Sequence, residues 1–397
     1  MTEDQTKYED PQYGWLLAFA AASVFVLWMS YTTSGWQFVV LFVLGFLIGF
    51  TLFHTRYGFS SVYTQILEDG NTQMLRGHMQ KLIIAVTLFA LILSTQTGLF
   101  GVRPEGAVSP VSFGVVIGAF LFGFGMNIGS NMGPAAMKTK EGGRTALLFT
   151  VTGFLTGATI GGAHYALWNV SLPHMSPISL AEDTPLGYIG AWLLQTGIFA
   201  AVILGSYLYK KKRRPPALPP MPRGTGFREV LFHWWPIWVG ATVFAVLNAA
   251  VLLVQGSPWK LTAAFTLWGS KISDAVGFDP ASWRYWGDQA AVTDLTNSIF
   301  TSSLSVLNFG VVAGTLVTMA LAGLMRFSGI TLLNAVMTLA GGLLMGYGAA
   351  ISFGANVGAY FSGLASMSLH AWVWTLFAVL GVYTAYYAGN KLPYLRQ

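Results

Sequence analysis

Ten stretches of apolar residues, separated by polar connections, run along the chain. They lie near 14–30, 36–54, 82–101, 110–129, 145–168, 186–209, 231–255, 299–325, 332–353 and 371–389. A bilayer crossing takes about 20 such residues, a length that most of the ten reach and the first barely does. The pattern predicts an all-α polytopic membrane protein of about ten hydrophobic segments. The stretch Met1 to Pro11 is acidic and has no basic region ahead of the first segment, so no cleavable leader is expected.

Composition agrees and narrows the chemistry. Charged residues make up only 9% of the chain, against about 25% in soluble domains. Hydrophobic residues reach 54%, too many for a disordered chain. The 46 glycines suit close helix packing or broken helices in lipid. Cysteine is absent, which removes disulfides, thiolate nucleophiles, Cys-ligated zinc and iron–sulfur clusters. None of the ten segments contains Asp, Glu, Lys or Arg. That disfavours a side-chain carboxylate proton relay and leaves a path of hydroxyls, amides and backbone N–H groups.

Charge orders the topology. If all ten segments cross, 17 of the 21 lysines and arginines fall on the side of the two termini. Only Arg103, Lys260, Lys271 and Arg284 fall on the other. Loops held in the cytoplasm carry such an excess, so both termini are expected there, in a bacterial-type inner membrane. The net charge of +6 then reads as topological, with no nucleic-acid partner implied. The run KKKRRPPALPPMPR within 210–228 reads as a basic, proline-rich cytoplasmic linker. It divides an N-terminal membrane half, 1–209, from a C-terminal half, 229–397.

The halves repeat. IGAFLFGFGMNIGSNMGPAAM, from Ile117, matches AGGLLMGYGAAISFGANVGAY, from Ala340, at a shift of 223 without a gap. Gly118 falls on Gly341, Gly123 on Gly346 and Gly125 on Gly348. The copies begin five crossings apart, an odd number, so their orientations are opposite. Inverted repeats with broken helices meeting near the midplane characterise transporters and channels. Each copy ends in a Gly/Asn cluster, Gly129-Ser130-Asn131-Met132-Gly133-Pro134 and Gly354-Ala355-Asn356-Val357-Gly358. Each cluster is expected to end one helix, turn tightly at Gly129 or Gly358 and their neighbours, and start a short re-entrant helix capped by Asn. A new helix N-terminus presents free N–H groups that suit an anion.

Other residues add less. His54, His164, His233 and His370 lack ligand spacing, so no metal is expected. His370 and Trp372 read as interfacial. Arg56 with Glu68 and Asp69 reads first as a surface ion-pair cluster and second as a cytoplasmic gate. No nucleotide-binding fingerprint, metal set or nucleophile–base pair is present, so neither a cofactor nor an enzyme is implied.

At the breaks the chain resembles the YeeE/YedE family, the thiosulfate-transporter-like group. The most specific match is GYGAAISFGANVGAYFSGLASMSLHAW, Gly346 to Trp372. Gly123 to Gly133 matches the family's other glycine-rich motif, and Arg56-Tyr57-Gly58-Phe59-Ser60 its early Arg-x-x-Phe-Cys element. The resemblance implies an hourglass-like, pseudo-symmetric fold that takes up thiosulfate or related anions past three cysteines. Here Ser60, Met132 and Ala355 stand at those positions. Serine keeps a donor, Met132 has only a weak acceptor, and Ala355 has neither. The expected substrate path is Ser60, Asn131, Met132, Gly133, Gly354, Ala355 and Asn356, in a permease or channel for a small sulfur-containing anion. The lipid bilayer and a cytoplasmic sulfur-carrier protein are the expected partners. The alternatives are a paralogue moving a different small solute and a non-transporting membrane partner or sensor.

Overall fold

A computed structural model describes residues 11–55, 59–138, 143–213, 215, 235–287, 289–325, 327 and 329–391. Its order is α1 (Tyr13–Ser34), α2 (Trp36–Thr55), α3 (Phe59–Asp69), α4 (Gln73–Thr95), β1 (Pro110–Ser112), α5 (Phe113–Lys138), α6 (Gly143–Ala163), β2 (His174–Pro177) and α7 (Gly187–Arg213). Then come α8 (Ile237–Gln255), α9 (Leu261–Ala275), α10 (Gln289–Thr296), α11 (Ser303–Leu321) and α12 (Leu332–Ile351). A short helix, α13, is wound as a π-helix over Asn356–Ser362 and as an α-helix over Gly363–Ala365. The long α14 (Leu369–Lys391) follows. The two strands pair antiparallel, and little else is extended. Among the described residues, nine helices are long and apolar enough to cross a membrane. The apolar part of α5, Phe113–Gly129, is shorter, but all 26 residues of that helix rise about 39 Å. The protein is a polytopic all-α membrane protein.

Two compact units emerge, and each draws on both halves of the chain. One comprises 1–104, 194–257 and 300–326; the other comprises 105–193, 258–299 and 327–397. In the first unit α2 packs on α8, α11 on α2 and α4 on α8. In the second α5 packs on α12, α12 on α6 and α5 on α14. Exchanging the repeat copies, α2 with α8, α4 with α11, α5 with α12 and α6 with α14, leaves both sets of pairings unchanged.

The glycines show this at atomic detail. A Cβ on Gly118 would lie 2.5 Å from the carbonyl oxygen of Gly348, and one on Gly348 would lie 2.4 Å from that of Gly118. The repeat converts that pair into Gly341 and Gly125, whose corresponding distances are 2.8 and 2.7 Å. The helices α5 and α12 therefore cross antiparallel, backbone against backbone. In lipid, where no hydrophobic force draws helices together, such small-residue contacts hold the pair. Gly118→Val and Gly348→Val are each expected to destabilise the protein by about 1–3 kcal/mol, as overpacking does. Thermal melts in detergent should show it, while Gly205→Ala, with open space around its Cβ, should melt as the parent does.

The alternation of crossings accounts for the contacts at the helix ends. Gln12 exchanges side-chain hydrogen bonds with the backbone of Met325 in the first unit, joining two connections assigned to one face. On the opposite face of that unit, Gln37 donates to the carbonyl of Val254 and the Leu99 N–H to that of Leu253.

Several expectations need correction. α5 runs helically through Gly129–Pro134 to Lys138. Glycine and asparagine weaken a helix without forbidding it, and a proline interior to a membrane helix is tolerated where neighbours satisfy the freed carbonyl. Asn131 is thus inside a helix and not at the start of one. α4 begins at Gln73, ahead of the expected segment, and so includes Arg76 and Lys81. Lys81 is buried, with its Nζ 5.3 Å from the centroid of the Phe244 ring. The spans are therefore not free of basic residues. His370 is interior to the protein, bonded through Nδ1 to the Ser368 hydroxyl. α7 continues to Arg213, so the basic run starts as the last turn of a helix, where cations suit the dipole.

Candidate functional site

The second unit contains a helix break at the end of α12. The carbonyl of Ile351 accepts from Asn169 Nδ2 at 2.9 Å. Ser352 donates its hydroxyl to Gly348 at 2.7 Å and accepts from Trp374 Nε1 at 3.0 Å. With these ends tied, the chain reverses. Phe353 takes φ 62° and Gly354 φ 144°. The Gly354 N–H donates to the carbonyl of Ala349 at 2.8 Å. Ala355 is extended and α13 starts at Asn356. No side-chain cap closes that N-terminus, so Asn356 opens the helix and does not cap it.

The far end of α13 is locked. The Ala107 N–H donates to Ser366 Oγ at 2.9 Å and the Leu180 N–H to the carbonyl of Met367 at 2.8 Å. Leu369 N–H reaches the carbonyl of Ile178 at 3.0 Å, and Ser362 Oγ that of Trp259 at 3.2 Å. These partners lie in the connections 105–109, 178–180 and 258–260, which the alternation of crossings puts on one face. A short helix is thereby held with its back end fixed and its first N–H groups without intrahelical acceptors.

Among the expected residues, Gly354, Ala355, Asn356 and Gly358 come together at this break. Ala355 is 2% exposed and Asn356 is half-buried. Gly129, Asn131, Met132 and Gly133 lie on α5, and the side chains of the last three are outside the described residues. The structure does not bring Gly129 to the break. Its backbone lies beside Gly341, and Ile351 lies beside Gly114. Gly341 to Ile351 is about 15 Å of helix. Ser60 is in the first turn of α3, in the other unit. Glu68 is exposed near the end of α3, in a recess shared with Tyr209 and Arg213. Arg56 lies outside the described residues.

Sequence reasoning missed the rings around the break. The half-buried Phe353 ring stands edge-on to Tyr165 at 5.8 Å and to His370 at 6.2 Å between centroids. Tyr165 in turn meets Tyr285 at 5.4 Å. Burial first, and Tyr285 second, push the Tyr165 hydroxyl up to about 12, with the Arg284 charge opposing. Burial also raises Tyr285, against a hydrogen bond with Thr266 that lowers it. Both hydroxyls therefore keep their protons at neutral pH and can donate. No sequence signal joined these positions, because Tyr165, Tyr285 and Phe353 come from three distant connections.

Two known transporters resemble this chain over most of its length, and a third over part of it. The thiosulfate transporter TsuA of Spirochaeta thermophila is 25% identical over 364 residues, covering 86% of this chain and 96% of its own. The thiosulfate transporter TsuA of Escherichia coli is 28% identical over 363 residues, covering 86% and 92%. The probable transporter YedE of Escherichia coli is 27% identical over 158 residues, and the match spans only 38% of either chain. The family described as sulphur transport matches residues 54–384. With that match covering most of the membrane region, the chain belongs to the sulphur transport family of membrane proteins.

Proposed function

We propose that this protein carries a small sulfur-containing anion such as thiosulfate across the cytoplasmic membrane. The path runs between the Asn131–Gly133 stretch of α5 and the break at Gly354–Asn356. The observation that carries this reading is the uncapped N-terminus of α13 beside the buried Ala355. N–H groups and the helix dipole attract an anion there without any charged side chain. They supply the donor that Ala355 lacks. The amides of Asn131 and Asn356 add neutral contacts. Both termini are cytoplasmic by the charge bias, which puts Ser60 on the exit side and makes Arg56 with Glu68 a gate there. A cytoplasmic sulfur-carrier protein would receive the cargo.

Uptake of radiolabelled thiosulfate, in cells lacking other importers, tests the reading. Expression should raise uptake well above background. Background uptake by protein that is inserted and folded would end the thiosulfate version.

Met132 and Ala355 also favour a second reading, a membrane partner or sensor that has kept the fold and lost transport. Restoring thiols with Met132→Cys and Ala355→Cys separates the two. Uptake gained only in that double variant supports the second reading, and strong parental uptake of any sulfur anion removes it.

A further inference from the structure

We propose that Phe353 is the specificity-determining residue of the path, closing the approach to the Gly354–Asn356 break, with the Tyr165 and Tyr285 hydroxyls selecting for anions. The proposal deepens the transport reading and rests on it for the identity of the cargo.

Backbone conformation is the first support. Phe353 sits at φ 62°, a region that bulky residues avoid and glycine occupies freely. Such strained residues persist where the surroundings over-determine them, and they cluster at ligand clamps and switches. The repeat does not demand an aromatic ring, since the equivalent position in the other copy is Ser130.

Placement is the second support. Phe353 is half-buried while Ala355, two residues on, is 2% exposed. Phe353 stands two residues ahead of the α13 N-cap and touches Tyr165, which touches Tyr285; the proposed route from those phenols to the α13 N-terminus passes its ring. The rings meet at 89° for Tyr165 with Tyr285, 89° for Tyr165 with Phe353 and 77° for Phe353 with His370. Edge-to-face contacts of this kind are a favoured arrangement of aromatic pairs.

Chemistry is the third. The two phenols stay protonated, so they offer O–H donors to an anion and no negative charge. Arg284, whose charge acts on Tyr165, is one of only four basic residues assigned to that face. It draws anions to the phenols, and Phe353 then admits those small enough to pass the moved ring.

The absence of cysteine permits a direct test. Ala355→Cys in the otherwise unchanged full chain introduces a single thiol behind the ring. Its rate of modification by a membrane-impermeant anionic methanethiosulfonate and by a neutral reagent of similar size is then measured. If the ring's open state is a minor population of about 10% or less, adding Phe353→Ala should speed both reactions about tenfold or more. Phe353→Leu should give an intermediate gain, and it carries the test if the alanine variant fails to fold. Equal rates with and without the ring would overturn the proposal. Tyr165→Phe with Tyr285→Phe should slow the anionic reagent relative to the neutral one, and an unchanged ratio would remove the phenols. Thiosulfate uptake is scored separately. Background uptake with ring-dependent labelling would end the cargo assignment and leave the filter standing. Strong uptake with ring-independent labelling would do the reverse.

Discussion

Replacing Gly354 with alanine is expected to abolish uptake and to lower the melting temperature. Two independent facts converge on this glycine. Its φ of 144° lies where an L side chain is strained, and such a conformation costs about 1–3 kcal/mol. An added Cβ would also lie 2.7 Å from the Ala359 nitrogen and 3.0 Å from the Gly358 carbonyl carbon. Both neighbours are backbone of α13, so no side chain can swing away to relieve the overlap. The chain can respond only by moving the N-terminus of α13, which is the proposed anion site. α13 cannot follow as a rigid body, because its back end is tied to Ala107, Leu180 and Trp259. Uptake by equal amounts of inserted protein, with a melt in detergent, checks the expectation. Gly197→Ala is the control, since nothing lies within 4 Å of its Cβ. A Gly354→Ala variant that transports at the parental rate would show that the break geometry does not matter.

The membrane fold was legible in the sequence because lipid leaves few choices. Every span must satisfy its own backbone, and an apolar run of the right length has few structures open to it. The repeat was legible because Gly118, Gly125, Gly341 and Gly348 each meet a backbone at under 3 Å, which restricts those positions to glycine. What escaped depends on tertiary burial. A hydropathy reading stops at Lys81, yet the helix continues because Lys81 packs against Phe244 of α8. Two similar Gly/Asn clusters also behave differently. In the second, Asn169 takes up the Ile351 carbonyl and Trp374 braces Ser352, so α12 can end there. Those partners come from 182 and 22 residues away, and the local sequence does not encode them. Phe353 in a left-handed conformation has no local signal at all. Glycine is the residue that turn chemistry selects at such a position.

Ala355→Asp is expected to cut anion uptake by two orders of magnitude or more. Ala355 is the N-cap of α13, and its side chain is enclosed. A carboxylate there acts in two ways. It repels a passing anion, by about 4 kcal/mol at 4 Å with an effective dielectric constant of 20, and more for a dianion. It also caps the N–H groups of Asn356 and its neighbours, since aspartate is among the best N-capping residues, so the donors proposed to hold the cargo are already occupied. Burying the charge opposes insertion by about 2.5–3.5 kcal/mol at the centre of a span. Capping returns about 1 kcal/mol of that, and the folded variant should remain recoverable. Ala355→Asn separates the two effects, because its amide oxygen caps in the same way and carries no charge. If repulsion dominates, Ala355→Asn should transport far better than Ala355→Asp. If occupation of the N–H groups dominates, both should fail together. Parental uptake in Ala355→Asp, at parental levels of inserted protein, would take Ala355 and the α13 N-terminus off the path.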